Sequence, residues 1–191
     1  MGLTISTPPQ EALNALNAAS AQFSSVIDIS DALRSGSPET LLPHQVFTIG
    51  LTDLVNGSRV EHASLVGWRF LLQRKDGTSV AAEVNASSYS ADGVSLNEGP
   101  FVQQTADMAA QARASQRVAG GDYELAVLRI PGIYVMALWL KSRNSKDDIF
   151  IPMQPTLEEL EPGREHGVDE ITSVLVNAAK ARLAFDDTPQ A

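Results

Sequence analysis

The chain has 191 residues, of which 43% are hydrophobic and 19% are charged, a balance typical of a globular protein and not of a disordered one. Its formal net charge of −9 repels phosphate backbones, so no nucleic-acid partner is predicted. The absence of cysteine excludes disulfides, thiolate nucleophiles and cysteine-ligated metal centres.

The location of the protein is predicted from what its first residues lack. A basic segment followed by an apolar segment is not visible there, so we expect no signal peptide and a cytoplasmic location. The apolar runs are also shorter than the roughly 20 residues that a membrane-spanning helix needs. The alanine-rich composition favours a bacterial origin.

The N-terminal segment is predicted to be an amphipathic helix. Thr7 and Gln10, with prolines between them, have the spacing of a capping box at a helix start. A narrow apolar stripe at helical spacing follows, formed by Leu13, Leu16, Phe23 and Ile27. Because this stripe is thin for a core helix, we expect residues 1–36 to form an arm that packs on the domain edge or pairs with a second subunit.

The next segment alternates apolar and polar residues with the period of β-strands. Residues 45–52 and 65–73 show this alternation. Residues 80–84 are predicted to pair with residues 65–73 across a hairpin turn at Asp76-Gly77. An antiparallel meander over residues 45–86 is therefore predicted, with a further strand at 94–96.

A helix is expected between Gly99-Pro100 and Gly120, followed by strands over residues 123–130 and 133–141 and a short strand over 149–151. The almost wholly apolar run from Arg129 to Lys141 is typical of a strand buried on both faces.

The C-terminal segment carries a helix signal. Apolar residues recur at helical spacing from Ile171 to Phe185, with Asp169 and Glu170 at the start, where the helix dipole favours acids. The sequence thus predicts an α+β fold: an antiparallel sheet of about six strands packed by helices on one face. The predicted divisions are an arm at 1–36, a domain at 37–185 and a tail at 186–191.

Motifs of known chemistry are missing from the sequence. His44, His62 and His166 fall in separate predicted loops without metal-ligand spacing, so we predict neither a metal site nor a cofactor. Nucleophile elbows and phosphate-binding glycine loops are also absent.

Acid catalysis would require paired carboxylates on rigid elements. The candidates by position are Glu98, Asp147 and Asp148, with Glu83 and Glu124 as further strand carboxylates. Each also has a structural interpretation, as a turn residue, a helix-start acid or an outward strand residue.

Two arginines and two tryptophans are the candidate binding residues. Arg69 and Arg129 lie in apolar strands, where a guanidinium must be paired, stacked on an aromatic ring or turned to solvent. The alternative is a clamp for an anion or a partner's carboxylate. Trp68 and Trp139 are most simply core residues, but would belong to an interface if one sheet face were uncovered, together with Phe70 or Tyr134.

The sequence alone favours a non-catalytic binding module, acting on a protein partner or by self-association as a homo-oligomer. The alternatives are an enzyme that joins a carboxylate to Arg69 or Arg129, and a small-ligand carrier. Converging carboxylates beside an arginine in a cleft would favour the enzyme, and a closed apolar cavity would favour the carrier.

Overall fold

The computed structural model describes residues 2–74 and 78–186, excepting the side chains of residues 38, 39 and 186. The described residues form a mixed fold of helices around one mostly antiparallel sheet of nine strands, where about six were predicted. The strands are β1 (Gly2–Thr4), β2 (His44–Thr48), β3 (Ser64–Gln73), β4 (Ser79–Asn85), β5 (Val94–Asn97), β6 (Asp122–Ile130), β7 (Val135–Ser142), β8 (Ile149–Pro152) and β9 (His166–Gly167).

The helices lie between and after these strands. They are α1 (Gln10–Ala18), α2 (Ile29–Ser35), α3 (Pro38–Leu41), α4 (Leu51–Val55), α5 (Pro100–Ala114), α6 (Gln116–Ala119) and α7 (Val168–Asp186). None of the described helices is long and apolar enough to cross a membrane.

The strand order in the sheet is β5-β4-β3-β2-β6-β7-β8-β9. β2 runs parallel to β6 and antiparallel to β3, so it joins the two halves of the sheet. β1 also runs parallel to β6, beside residues 122–124, whereas β2 pairs with residues 126–129. β1 and β2 therefore lie end to end along the same side of β6. Both β1 and β9 are additional to the predicted strands.

One sheet face is covered by α5 and α6. Leu125 and Val127 of β6 and Leu138 of β7 point to this face and pack with Met108 and Val118 of the two helices. Alternate residues along a strand point to opposite faces, so the residues between them face the other way.

The opposite face carries two further clusters. Leu128 and Trp139 pack there with Leu175 of α7, and Phe70 packs with Leu16 of α1. Helices thus cover both faces of the sheet, and the expectation of one covered face is corrected. β6 and β7 carry apolar residues on both faces. Each face needs its own layer of helices, because a helix shields only the face on which it packs from water.

The predicted arm is in contact with the sheet. β1 pairs with β6, and the α1 residues Ala12 and Leu16 are fully buried. The predicted capping box is absent, because α1 begins at Gln10 after Pro9 and no side chain caps it. The division at residue 36 remains a prediction. The Asp76-Gly77 turn lies outside the described residues, as does the tail beyond residue 186.

Candidate binding site at one end of the sheet

A buried ion pair links the central strands β3 and β4. Arg69 and Glu83 are direct cross-strand partners, and Arg69 Nη2 donates to Glu83 Oε2 over 2.9 Å. The Arg69 side chain is only 3% exposed and that of Glu83 is 12% exposed. Of the alternatives that the sequence left for Arg69, the structure shows a paired guanidinium, bound by a carboxylate inside the fold.

A second arginine binds the same carboxylate. Arg129 on β6 donates from Nη1 to Glu83 Oε2 over 3.3 Å, and its Nη2 forms an ion pair with Glu83 Oε1 over 3.1 Å. The sheet order places β2 and β3 between β6 and β4, so the Arg129 side chain spans two strands to reach Glu83. Both predicted binding arginines therefore meet at one acid, which we call the Arg69–Glu83–Arg129 cluster.

A glycine provides space beside this cluster. Gly67 on β3 is buried, and a Cβ built on it would lie 2.6 Å from the carbonyl oxygen of Val84 and 3.6 Å from Glu83 Cγ. Any larger residue at this position would displace the backbone of β4 at Val84, the residue next to Glu83.

His44 lies on the strand next to Arg69. It is fully buried on β2, opposite Arg69, and its Nδ1 donates to the Leu42 carbonyl oxygen over 2.6 Å. Burial, followed by the positive charge of Arg69, lowers the pKa of His44 from 6.5 to about 3. The imidazole is therefore neutral at physiological pH. Its place in a buried strand differs from the loop predicted for it.

The outer part of the cluster opens into a surface depression of about 390 Å³. Arg129 and Glu83 line it together with Leu65, Val66, Asn85, Ser87 and Ser95. The Arg129 side chain is 32% exposed, and its Nε is shielded from solvent without a hydrogen-bond partner among the described residues. Two guanidinium groups share one carboxylate, so the cluster carries a net charge of +1 in a chain of net charge −9.

Exposed apolar side chains lie at the same end of the sheet. Five large hydrophobic residues are exposed in the described part of the chain, and three of them are Leu65, Tyr89 and Tyr134. Leu65 is on β3 near its start, Tyr89 is in the β4–β5 connection, and Tyr134 is in the β6–β7 connection. We call these three residues and Arg129 the sheet-end surface.

Tyr134 is held in an unusual conformation. Its φ angle is +54°, in the left-handed region that disfavours residues with a Cβ, and its side chain is 81% exposed. Burial cannot account for an aromatic residue there, because its ring makes little contact with the protein.

Of the candidate carboxylates, Glu83 alone pairs with arginines of this cluster. Glu98 forms an exposed ion pair with Arg74, and Asp147 is an exposed turn residue that accepts a hydrogen bond from Asn144. Asp148 is buried, and accepts hydrogen bonds from Trp139 Nε1 over 2.8 Å and from the Ser142 amide over 2.7 Å. Burial raises the pKa of Asp148.

The remaining predicted residues lie in the core or on other surfaces. Trp68 is 5% exposed and Trp139 is 1% exposed, as core aromatics would be. Lys141 lies over the Phe47 and Trp139 rings, 4.0 and 4.9 Å from their centroids, and burial lowers its pKa. Glu124 accepts a hydrogen bond from Ser6.

The other two histidines do not join His44. His62 is exposed, and His166 is buried on β9 with its Nδ1 3.1 Å from Glu170. In the described ranges, no three His, Cys, Asp or Glu side chains are grouped so as to hold a metal ion.

The sequence did not identify Glu83 as the shared partner of the two arginines. A signal was present, because Arg69 and Glu83 lie on strands predicted to form a hairpin. Arg129 lies 46 residues beyond Glu83, so its contact depends on the strand order of the whole sheet.

Comparisons with protein-family models, with curated proteins and with solved structures found no match to this chain.

Proposed function

We propose that the protein is a non-catalytic binding module that docks a protein partner on the sheet-end surface. The observation that carries this proposal is that Leu65 and Arg129 line one depression, while the exposed Tyr89 and Tyr134 lie in strand connections at the same end of the sheet. Tyrosine and arginine are enriched among the residues that dominate the energy of protein interfaces.

The conformation of Tyr134 supports this assignment. Tyrosine adopts the left-handed conformation less favourably than glycine or asparagine would at the same position. Burial of the ring offsets little of this cost, because the side chain is 81% exposed. A partner that covers the ring would provide the missing burial. An aromatic residue displayed in this way is typical of an interface anchor.

The polar geometry favours binding over catalysis. Glycosidase-type catalysis needs two carboxylates in one site, and among the described residues Glu83 is the one carboxylate that lines the depression. Both oxygens of the Glu83 carboxylate are also occupied by ion pairs with the two arginines. The open shape of the depression likewise gives no support to a carrier that encloses its ligand.

The net charge argues for a different protein over a second copy. Two chains of net charge −9 repel each other, and this repulsion must be overcome in a homo-oligomer. A neutral or basic partner avoids that repulsion. Self-association on the same surface is the competing outcome of the experiment below.

The test uses the full chain, immobilised through its C-terminus and exposed to an extract of its source cells. Three forms are compared: the wild type, the double variant Leu65→Ser with Tyr134→Asn, and the control Val26→Ser. Val26 is exposed to a similar degree as Leu65, at 41% against 40%, but lies in the α1–α2 connection.

We expect one protein to be retained by the wild type and the control and lost by the double variant. Native mass spectrometry of the purified pair should then show a one-to-one complex that the double variant fails to form. Equal retention by all three forms, no retained protein, or a complex made only of copies of this chain would each contradict the proposal.

A further inference from the structure

The Arg69–Glu83–Arg129 cluster allows the partner's recognised group to be specified. We propose that Arg129 binds a carboxylate of the protein partner, from an aspartate or glutamate side chain or a C-terminus, in the depression beside Glu83. This inference rests on the proposed function, because it names the chemical group that the sheet-end surface recognises.

The hydrogen-bonding of Arg129 leaves donors available. A guanidinium has five N–H groups in a planar fork, and Arg129 directs only two toward Glu83. Those contacts measure 3.1 and 3.3 Å, longer than the 2.7–2.9 Å usual for charge-assisted hydrogen bonds. Glu83 makes its shorter contact, 2.9 Å, with Arg69. Arg129 is therefore the less satisfied of the two arginines.

The charges around the depression select an anion. Glu83 is the only acid among its lining residues, and the two arginines that hold it leave a net charge of +1. A monoanion would neutralise this charge. A phosphate dianion would instead leave excess negative charge next to Glu83, so a carboxylate matches the cluster better.

Neutral donors lie beside the arginine. Asn85 uses its side-chain oxygen to accept hydrogen bonds from the amide and hydroxyl of Ser87, which leaves its NH₂ group as a donor. Ser95 accepts a hydrogen bond from the Asn97 amide, which leaves its hydroxyl proton to donate. Both residues line the depression with Arg129. The second oxygen of a carboxylate on Arg129 would thus have donors within the same depression.

The test is an NMR titration of the full chain with ¹⁵N-labelled arginine side chains. Sodium acetate is the carboxylate probe, and sodium chloride and sodium phosphate are compared with it at equal ionic strength and pH. The Arg129 Nε–H signal is assigned by its loss in Arg129→Lys, which keeps the charge but removes the planar fork.

We expect acetate to shift the Arg129 signal saturably, chloride to leave it in place and phosphate to shift it less than acetate. The control Arg117→Gln removes a more exposed, Glu165-paired arginine and should leave the Arg129 response unchanged. An Arg129 signal that acetate does not move, or that phosphate moves more strongly, would overturn the carboxylate assignment.

A second variant should strengthen acetate binding at Arg129. Glu83→Gln removes the internal carboxylate that competes for Arg129, so acetate should bind about fivefold more tightly to the folded variant. Weaker acetate binding in folded Glu83→Gln would also contradict the assignment. The wild-type titration decides the question if this variant does not fold.

The two proposals fail separately. If the captured partner is lost by the Leu65→Ser, Tyr134→Asn variant but fully retained by Arg129→Gln, the sheet-end surface remains the interface and the carboxylate assignment is wrong. If acetate shifts Arg129 but no partner depends on Leu65 and Tyr134, the proposed function is wrong.

Discussion

Arg69 of β3 lies directly opposite Glu83 of β4 and donates to its carboxylate over 2.9 Å, with the arginine side chain only 3% exposed. This cross-strand pair is the buried part of the cluster that Arg129 completes at the surface. The pair is sensitive to the loss of Glu83, because the buried Arg69 would then remain as an unpaired charge inside the protein.

Glu83→Gln should destabilise the fold by about 3 kcal/mol, since it leaves the buried Arg69 without a carboxylate. The measurement is the free energy of unfolding from urea titration. The matched control is Arg34→Gln, which breaks an exposed pair with Asp31 and should change stability by less than about 0.5 kcal/mol. Similar losses in both variants would show that burial does not set the value of the Arg69–Glu83 pair.

His44 should make the fold less stable as the pH falls. Its pKa is 6.5 in the unfolded chain and about 3 in the folded one, so below pH 6.5 the unfolded state binds the additional proton. His44 therefore leaves the free energy of unfolding unchanged above pH 6.5. Between pH 6.5 and 3 it lowers that free energy progressively. One such proton corresponds to a slope of about 1.4 kcal/mol per pH unit.

The His44→Asn variant tests this dependence, because asparagine keeps a short donor for the Leu42 carbonyl oxygen. Unfolding free energies measured between pH 4 and 6.5 should vary less steeply in this variant than in the wild type. His62→Asn, at an exposed histidine, serves as the control and should keep the wild-type slope. Parallel pH profiles for wild type and His44→Asn would contradict the assignment to His44.

Tyr134→Asn should leave the fold equally stable or increase its stability by about 1 kcal/mol. Asparagine tolerates the left-handed conformation better than tyrosine does, and little buried area is lost from a side chain that is 81% exposed. Thermal and urea unfolding measure the change. The comparison variant Tyr89→Asn removes an exposed tyrosine whose φ is not positive, and should give no gain. A clear loss of stability in Tyr134→Asn would mean that its ring supports the fold.

Leu16→Ala should destabilise the protein by about 3 kcal/mol, because Leu16 is fully buried between α1 and the sheet. Asn14→Ala, on the exposed side of the same helix, should change the unfolding free energy by less than about 0.5 kcal/mol. A negligible effect of Leu16→Ala would indicate that α1 is a separable arm.

Deletion of residues 1–36 tests the predicted division directly. It removes β1 from the side of β6 and strips α1 and α2 from Phe70 and its neighbours. From these contacts we expect the shortened chain to unfold or aggregate, as circular dichroism and size-exclusion chromatography would show. A folded, monomeric fragment would instead support the division at residue 36.

The sequence by itself predicted most of the elements. The alternation of apolar residues marked β2 to β4, the nearly unbroken apolar run marked β7, and the Gly99-Pro100 signal preceded α5. These patterns depend on neighbours within one element, so they are visible without the fold. They also showed that Arg69 and Arg129 needed partners. β1 and β9 were missed, since two or three residues are too few for a periodic pattern.

Only the tertiary structure decided which residues met. A two-residue turn at Asp76-Gly77 would have placed Arg69 opposite Val84, whereas the observed register, with Gln73 opposite Ser79, places it opposite Glu83. A shift of one residue reverses every side chain across the sheet, and packing on both faces fixes the register. The contact of Arg129 with Glu83 likewise required β2 to enter between β3 and β6. Such long-range pairing is set by how all the apolar faces are buried together, which no local pattern in the sequence contains.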